Sequence, residues 1–109
     1  MRKAEVYYNG ELAGVLVEHH RTLFEFVYDE SWLADPNKPS ISLTLPKSQS
    51  IYTAKSLFPF FFHLLSEGVN RQVQCRQLRI DESDHFGLLL ATATDDTVGA
   101  VTVQEIPAG

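Results

Sequence analysis

Residues 4–17 read AEVYYNGELAGVLV, and they set the fold of the N-terminal half. Their apolar and polar residues alternate on both sides of Asn9-Gly10, which is typical of strands with one buried face. Asn-Gly favours a two-residue hairpin turn because both central positions of that turn need a positive φ. The sequence therefore predicts two antiparallel strands, at 3–8 and 11–18, joined by a tight turn.

Three further segments extend this hairpin. Residues 22–28 alternate again, which predicts a third strand and hence a three-stranded meander. Residues 29–31 can then cap a short helical turn that carries Trp32 and ends before Pro36, because proline disfavours helical geometry in the residue before it. The apolar residues of 41–45 alternate with serine and threonine, which predicts a fourth short strand.

The second half changes to a helical period. Ser56 can cap a helix that starts at Leu57, with Pro59 in its first turn and Gly68 as its left-handed stop. This helix is apolar nearly all round, so it must be covered on most sides. We expect its large side chains to form the centre of the core against the sheet, namely Phe58, Phe61, Phe62 and Leu65.

Two more helices and a strand complete the predicted fold. Residues 69–78 form a more polar helix, and a third helix starts at Asp81 or Ser83 and runs through Leu90. Residues 99–103 return as a final strand. We therefore expect a single α+β domain, in which an antiparallel sheet, the N-terminal meander plus the closing C-terminal strand, packs against about three helices.

Composition limits the number of domains, the kinds of partner and the cellular compartment that we expect for this chain. A chain of 109 residues with 44% hydrophobic content suits one compact domain. Its net charge of −5 disfavours direct binding to a nucleic acid, because that binding rests on clustered basic residues. The single cysteine, the absence of a signal peptide and the lack of a long apolar run predict a cytoplasmic protein without a membrane segment.

The sequence shows no recognisable catalytic constellation. Its four histidines lack the spacing of a zinc site, and its six glycines are dispersed, so no phosphate-binding loop is present. Cys75 would act as a nucleophile only beside a base, and a semi-buried helix thiol is the alternative. The acidic stretch 81–84 lacks the ligand pattern of a calcium loop and is explained by helix capping. We expect no metal, no cofactor and no enzyme activity.

Three motifs of the second half carry a family resemblance. They are LFPFFFHLLSEG at 57–68, DHFGLL at 84–89 and DTVGAV at 96–101. Together with VYYNG at 6–10 and SLTLP at 42–46, in this order and spacing, they resemble the N-terminal subdomain of HipA-type serine/threonine kinases, the toxins of HipBA toxin–antitoxin systems. The resemblance covers residues 3–104, and residues 105–109 form a tail. Two departures are Ser66 in place of a proline and Thr94 in place of a glycine.

A stand-alone copy of this subdomain is similar to HipS, the small protein of the three-gene HipBST arrangement. There the kinase HipT lacks the subdomain, and HipB supplies the DNA-binding part. The resemblance implies an antitoxin that binds and inhibits a HipT-like kinase and reaches DNA only through a HipB-like protein. It brings no kinase residues, because the phosphate loop and the two functional aspartates of such enzymes have no counterpart here. An accessory or activating subunit of a split kinase and a small independent enzyme are the alternatives.

The surface that meets the kinase is expected where apolar groups outnumber the needs of the core. The corner formed by residues 65–70 is expected to project beyond the helices, and Ser66 gives it a hydroxyl that would contact the kinase or accept a phosphate. A plain helix terminus is the alternative there, and core burial is the alternative for each aromatic side chain. The candidate partner-binding residues are Trp32, Phe60, Leu64, Leu65, Ser66, Glu67, Gly68, Val69, Asn70 and Phe86.

Overall fold

The computed structural model describes residues 1–65, 68–92 and 101–107, with the side chains of 68–71 excepted. Within these ranges the strands form an antiparallel sheet in the order β4-β3-β2-β1-β5, with helices between β3 and β5 along the chain. The predicted α+β class is confirmed. The strands are β1 (Arg2–Tyr8), β2 (Glu11–His20), β3 (Leu23–Tyr28), β4 (Ile51–Ala54) and β5 (Val101–Ile106), and the helices are α1 (Glu30–Ala34), α2 (Pro59–Phe62), α3 (Gly68–Leu78) and α4 (His85–Thr92).

The predicted hairpin and meander are confirmed. Asn9 and Gly10 have φ values of 51° and 83°, as the tight turn between β1 and β2 requires. The closing strand β5 pairs antiparallel with β1, with Val103 opposite Val6. The N-terminal strand β1 therefore lies between β2 and the C-terminal strand.

The strand predicted at 41–45 is wrong. Ile41 and Leu45 are buried, but Leu43 is fully exposed at 100%, which an evenly pleated strand on the core would not allow. The Ser42 hydroxyl accepts a hydrogen bond from the Thr44 backbone N–H at 3.2 Å. The Ser42 backbone carbonyl accepts one from the Leu45 N–H at 3.1 Å. Local bonds of this kind compete with a sheet ladder, and here they hold a turn.

The fourth strand is instead β4, which the sequence reading missed. Its residues pair with β3, with Tyr52 opposite Phe26, and β4 forms one edge of the sheet. Ile51, Tyr52 and Thr53 are β-branched or aromatic, which was the available sign of a strand. The segment has four residues, and its edge position leaves Ile51 46% exposed.

The long apolar helix predicted from Leu57 to Gly68 is also wrong. The α2 helix covers the four residues Pro59–Phe62, with Pro59 at its start as predicted. After it, the backbone N–H groups of Leu64 and Leu65 donate to carbonyls three residues back, at 3.1 Å each, so the chain tightens and leaves the α-helical path. Phe61 and Leu65 are both buried on the core side of this segment. Gly68 begins α3 rather than ending a helix.

The core lies between one face of the sheet and the helices. Phe26 of β3 is central, with its ring 5.7 Å from that of Phe61 and 4.9 Å from that of Tyr28. Phe58 and Phe61 belong to the core as predicted, whereas Phe62 is half-buried against it. The largest fully buried side chains are Phe26, Phe61, Phe86, Leu16, Leu88, Leu89, Val6 and Val103. None of the described helices is long and apolar enough to cross a membrane.

Candidate partner-binding surface

The segment around α2 keeps two predicted contact residues at the surface. Phe61 is 0% exposed, whereas its neighbour Phe60 is half-buried and packs its ring edge to face at 5.2 Å. Leu64, on the following turn, is half-buried as well. The same packing that buries Phe61 and Leu65 therefore leaves Phe60 and Leu64 partly open to a partner.

Trp32, Leu65 and Phe86 follow the core alternative, with exposures of 3%, 4% and 1%. The Trp32 indole N–H donates to the Pro39 carbonyl at 2.9 Å, and the Lys38 ammonium lies 5.4 Å from the ring centre. A buried tryptophan normally satisfies its N–H in this way. In the chain by itself these three side chains stabilise the fold rather than present an apolar surface.

The corner at 65–70 is described only in part. Ser66 and Glu67 lie outside the described residues, as does the stretch 93–100 with most of the DTVGAV motif. Gly68, Val69 and Asn70 form the first turn of α3. The predicted projection of this corner therefore stays a prediction, and so does a contact or modification at Ser66.

The sequence reading missed an arginine that ties the two halves of the domain together. Arg2 donates from Nε to Glu18 Oε1 at 2.7 Å and from its two terminal nitrogens to Asp84, at 2.7 and 3.1 Å. The guanidinium carbon also lies 5.1 Å from the ring centre of Phe86. Bidentate pairing of this kind is the strong form of an arginine–carboxylate contact. It fixes the start of α4 against β1 and β2.

Asp84 combines this ion pair with a helix cap. Its Oδ1 accepts from the Gly87 backbone N–H at 3.1 Å, as an N-cap side chain does. The hydrogen bond from Arg2 lowers the pKa of the Asp84 carboxyl below its ordinary value, against the opposing effect of burial. The same contact raises the pKa of Arg2, which stays charged. A Cβ on Gly87 would lie 2.3 Å from Asp84 Oδ2, so the glycine leaves room for the carboxylate.

A cavity of about 560 Å³ opens beside this ion pair. Its charged groups are largely engaged with one another, since Arg2 holds Glu18 and Asp84, and the Ser83 hydroxyl donates to Asp81 at 2.7 Å. The His85 ring packs edge to face on Phe62 at 4.9 Å. The arrangement joins α4 to the sheet. The cavity is lined by Arg2, Glu18, Arg21, Phe24, Ser56, Leu57, Asp81, Ser83, Asp84, His85 and Phe86.

Cys75 and the histidines do not assemble a metal site in the part of the chain that the structure describes. No three His, Cys, Asp or Glu side chains in that part lie close enough to hold a metal ion. Cys75 is buried at 4% exposure within α3. Its placement matches the alternative of a buried helix thiol.

Comparison with known proteins identifies the fold. The family model of the HipA N-terminal domain matches residues 4–104. A solved structure of the N-terminal domain of HipA toxin superposes with a TM-score of 0.74 and 32% identity, covering 100% of this chain and 96% of that one. The domain is therefore matched as a whole, from the first hairpin to the closing strand.

Two relatives differ in how much of their length is matched. An uncharacterized protein of Haemophilus influenzae is 37% identical over 105 residues, which are 96% of this chain and 93% of that protein. A Sinorhizobium fredii protein named as a kinase, Y4mE, is 30% identical over 89 residues, but the chain spans 21% of its length. The family model, the fold and the identity agree, and this chain belongs to the HipA N-terminal domain family.

Proposed function

We propose that this protein is an antitoxin that binds and inhibits a HipT-type serine/threonine kinase encoded nearby. One observation carries the proposal: the chain matches the HipA N-terminal domain, not a kinase domain, over residues 4–104. The Haemophilus relative supports it, because 93% of that protein is matched and the same unit thus forms nearly all of another protein. The family match itself supports a HipA-related component of a toxin–antitoxin system, and the proposal builds on that.

The physical basis is the conversion of a contact within one chain into a contact between two. In a longer kinase such as the Sinorhizobium protein, the matched part is 21% of the length and has the rest of the chain as its neighbour. Contacts between domains of one chain resemble transient interfaces between proteins, with an apolar centre and a polar rim. On this chain Phe60 and Leu64 are half-buried and available for the apolar part of such a contact.

The proposal includes one expectation about localisation and one about partners. The protein acts in the cytoplasm, and it meets operator DNA only within a complex that contains a HipB-like DNA-binding protein. Its net charge of −5 supports the second expectation, because an acidic chain gains nothing from the phosphate backbone.

Co-expression in bacteria tests the direction of the effect. The kinase encoded beside this chain is induced alone and together with the chain, and growth and phosphorylation of cell proteins are followed. Rescue of growth with reduced phosphorylation is the expected result. Deeper growth arrest or stronger phosphorylation would contradict inhibition and would favour an accessory subunit that completes a split kinase.

A further inference from the structure

The helix α3 differs in charge from the rest of the protein. The chain holds fourteen acidic and nine basic residues. Three of the basic residues, Arg71, Arg76 and Arg79, fall within residues 68–80, which contain no aspartate or glutamate. The remainder has six basic residues against fourteen acidic ones. This segment is therefore a basic part of an otherwise strongly acidic chain.

The outward side of α3 is not covered by the part of the domain that the structure describes. Among its described side chains Cys75 is buried and Gln74 is half-buried, and the others are exposed. Val73 is apolar, yet it is 43% exposed. Residues three and four apart share a helix face, so Val73 lies beside Arg76 and Gln77. Helices of this mainly polar kind include those that bridge to another unit.

Arg76 and Arg79 lack an ion-pair partner in the described part of the domain. Neither forms an ion pair among the described residues, whereas Arg2 pairs with Glu18 and Asp84, and Lys38 pairs with Glu11. Both arginine side chains are exposed. Their charges are thus available to a partner.

Arg79 also occupies a backbone position that favours glycine. Its φ is 58°, and the Ile80 N–H donates to the Cys75 carbonyl at 2.9 Å, which closes α3 as a Schellman motif. A side chain in the left-handed region carries strain that glycine would avoid. A basic residue near a helix C-terminus is favourable, but Arg76 already supplies one in the last turn. Glycine at this position would therefore make the folded domain more stable than arginine does.

We propose that the exposed side of α3, formed by Val73, Arg76, Gln77 and Arg79 and here called the α3 surface, docks on an acidic surface of a partner protein. This inference rests on the proposed function, so the partner is the HipT-type kinase. Arginines beside exposed apolar groups are characteristic of protein interfaces. A nucleic acid fits less well, because Asp81 and Glu82 follow Arg79 directly and the whole chain is acidic.

The affinity of the purified chain for the kinase tests this surface. The double variant Arg76→Glu/Arg79→Glu is expected to bind at least about tenfold more weakly, with a reduced dependence of affinity on salt, because complementary charges contribute to binding and to its rate. The matched control is Lys3→Glu/Lys55→Glu, which makes the same change in net charge at two exposed lysines away from α3. The control is expected to stay within about twofold of the wild type.

A second variant separates docking from folding. Arg79→Gly relieves the left-handed strain and removes one charge, so it is expected to raise the thermal unfolding midpoint while it weakens kinase binding. A purely structural role for Arg79 would instead lower the midpoint and leave the affinity of the folded protein unchanged. That pair of results would overturn the proposal even if the double variant failed to fold.

The possible results fall into distinct groups. If the wild-type chain forms no complex with the kinase, the proposed function and this inference both fail. If the wild type binds and the folded double variant binds as tightly, the inference alone is overturned. The purified chain alone is also tested for dimerisation and for a shift of double-stranded DNA. If it shows either one and the double variant does not, the α3 surface has another occupant and the proposal is overturned.

Discussion

At the scale of single residues, the stability of this domain depends on a few positions with tightly constrained contacts. Gly14 of β2 is one of them, because a Cβ there would lie 2.5 Å from the Val27 carbonyl oxygen and 2.7 Å from the Phe26 ring. The ring of Phe26 is fully buried and cannot move without disturbing its neighbours. The Arg2–Asp84 contact is another such position, since it joins the first strand to the start of α4.

Substitution Gly14→Ala is expected to lower the free energy of unfolding by about 1–3 kcal/mol, the usual cost of overpacking a core. Chemical denaturation followed by circular dichroism measures it. Gln72→Ala, on the exposed side of α3, serves as the control and should change stability by less than about 0.5 kcal/mol. Equal stability of the Gly14 variant and the wild type would show that β2 and β3 adjust more easily than this packing implies.

The Arg2–Asp84 ion pair predicts a defined pH dependence. The pKa of Asp84 in the folded protein is lowered from its ordinary value of 3.8, so its contribution is complete above that pH and is lost as the pH falls through the lower folded value. Asp84→Asn keeps a good helix cap but removes the charge. Because the Asp84 side chain is 35% exposed, solvent screening limits the expected loss at neutral pH to about 1 kcal/mol.

Unfolding of the wild type and the Asp84→Asn variant at a series of pH values checks this dependence. The difference between their stabilities should be largest at neutral pH and should shrink steadily at acidic pH below about 4. A difference that stays constant down to strongly acidic pH would exclude the ion pair as its cause.

At the scale of the elements, the strands and helices were predictable where local and tertiary preferences agree. The alternation around Asn9-Gly10 specifies the hairpin, and the same pattern specifies β3. At 41–45 the same alternation was misleading, because Ser42 satisfies its neighbours' backbone groups locally. The α2 segment failed for another reason, since the tightening of the chain after Phe62 does not follow from helix propensity.

The candidate site was predictable only in part. The motif from Leu57 to Gly68 pointed to an apolar surface, and Phe60 and Leu64 do lie half-buried at its edge. The burial of Trp32 and Phe86 depends on how the helices cover the sheet. The spacing of apolar residues along the chain does not determine that packing. The pairing of Arg2 with Asp84 spans 82 positions and carries no local sign in the sequence.

Besides the local bonds of Ser42, one tyrosine hydroxyl also holds the turn at 41–45, which gives a prediction for this element. The Tyr28 hydroxyl donates to the Leu45 carbonyl and accepts from the Ile41 N–H at 3.1 Å, and Tyr28 is 2% exposed. Tyr28→Phe leaves both backbone groups buried without that partner, so it is expected to cost about 1–3 kcal/mol. Denaturation curves and hydrogen exchange of the Ile41 amide measure the loss.

Tyr52→Phe is the matched control for this prediction. The Tyr52 hydroxyl also donates to a backbone carbonyl, that of Pro46 at 2.6 Å, but in an exposed setting where water can replace it. Its expected cost is well below that of Tyr28→Phe. Equal costs for the two variants would contradict the role given to burial.

At the scale of the whole molecule, the protein is an acidic HipA N-terminal domain with a basic helix on its surface. Its sheet and core explain how it folds as a unit, and its half-buried Phe60 and Leu64 and the α3 surface are where a second protein is expected to bind. Under the proposed function, binding from solution has to recover in affinity what a covalent link would otherwise supply. Binding to the kinase is thus the property on which the account rests.

The most direct measurement is the phosphorylation rate of the HipT-type kinase that we propose as the partner, as the purified chain is added to it in increasing amounts. We predict that the rate falls to background near one chain per kinase, with a one-to-one complex seen by light scattering in the same mixture. A rate that is unchanged or that rises as the complex forms would contradict the account.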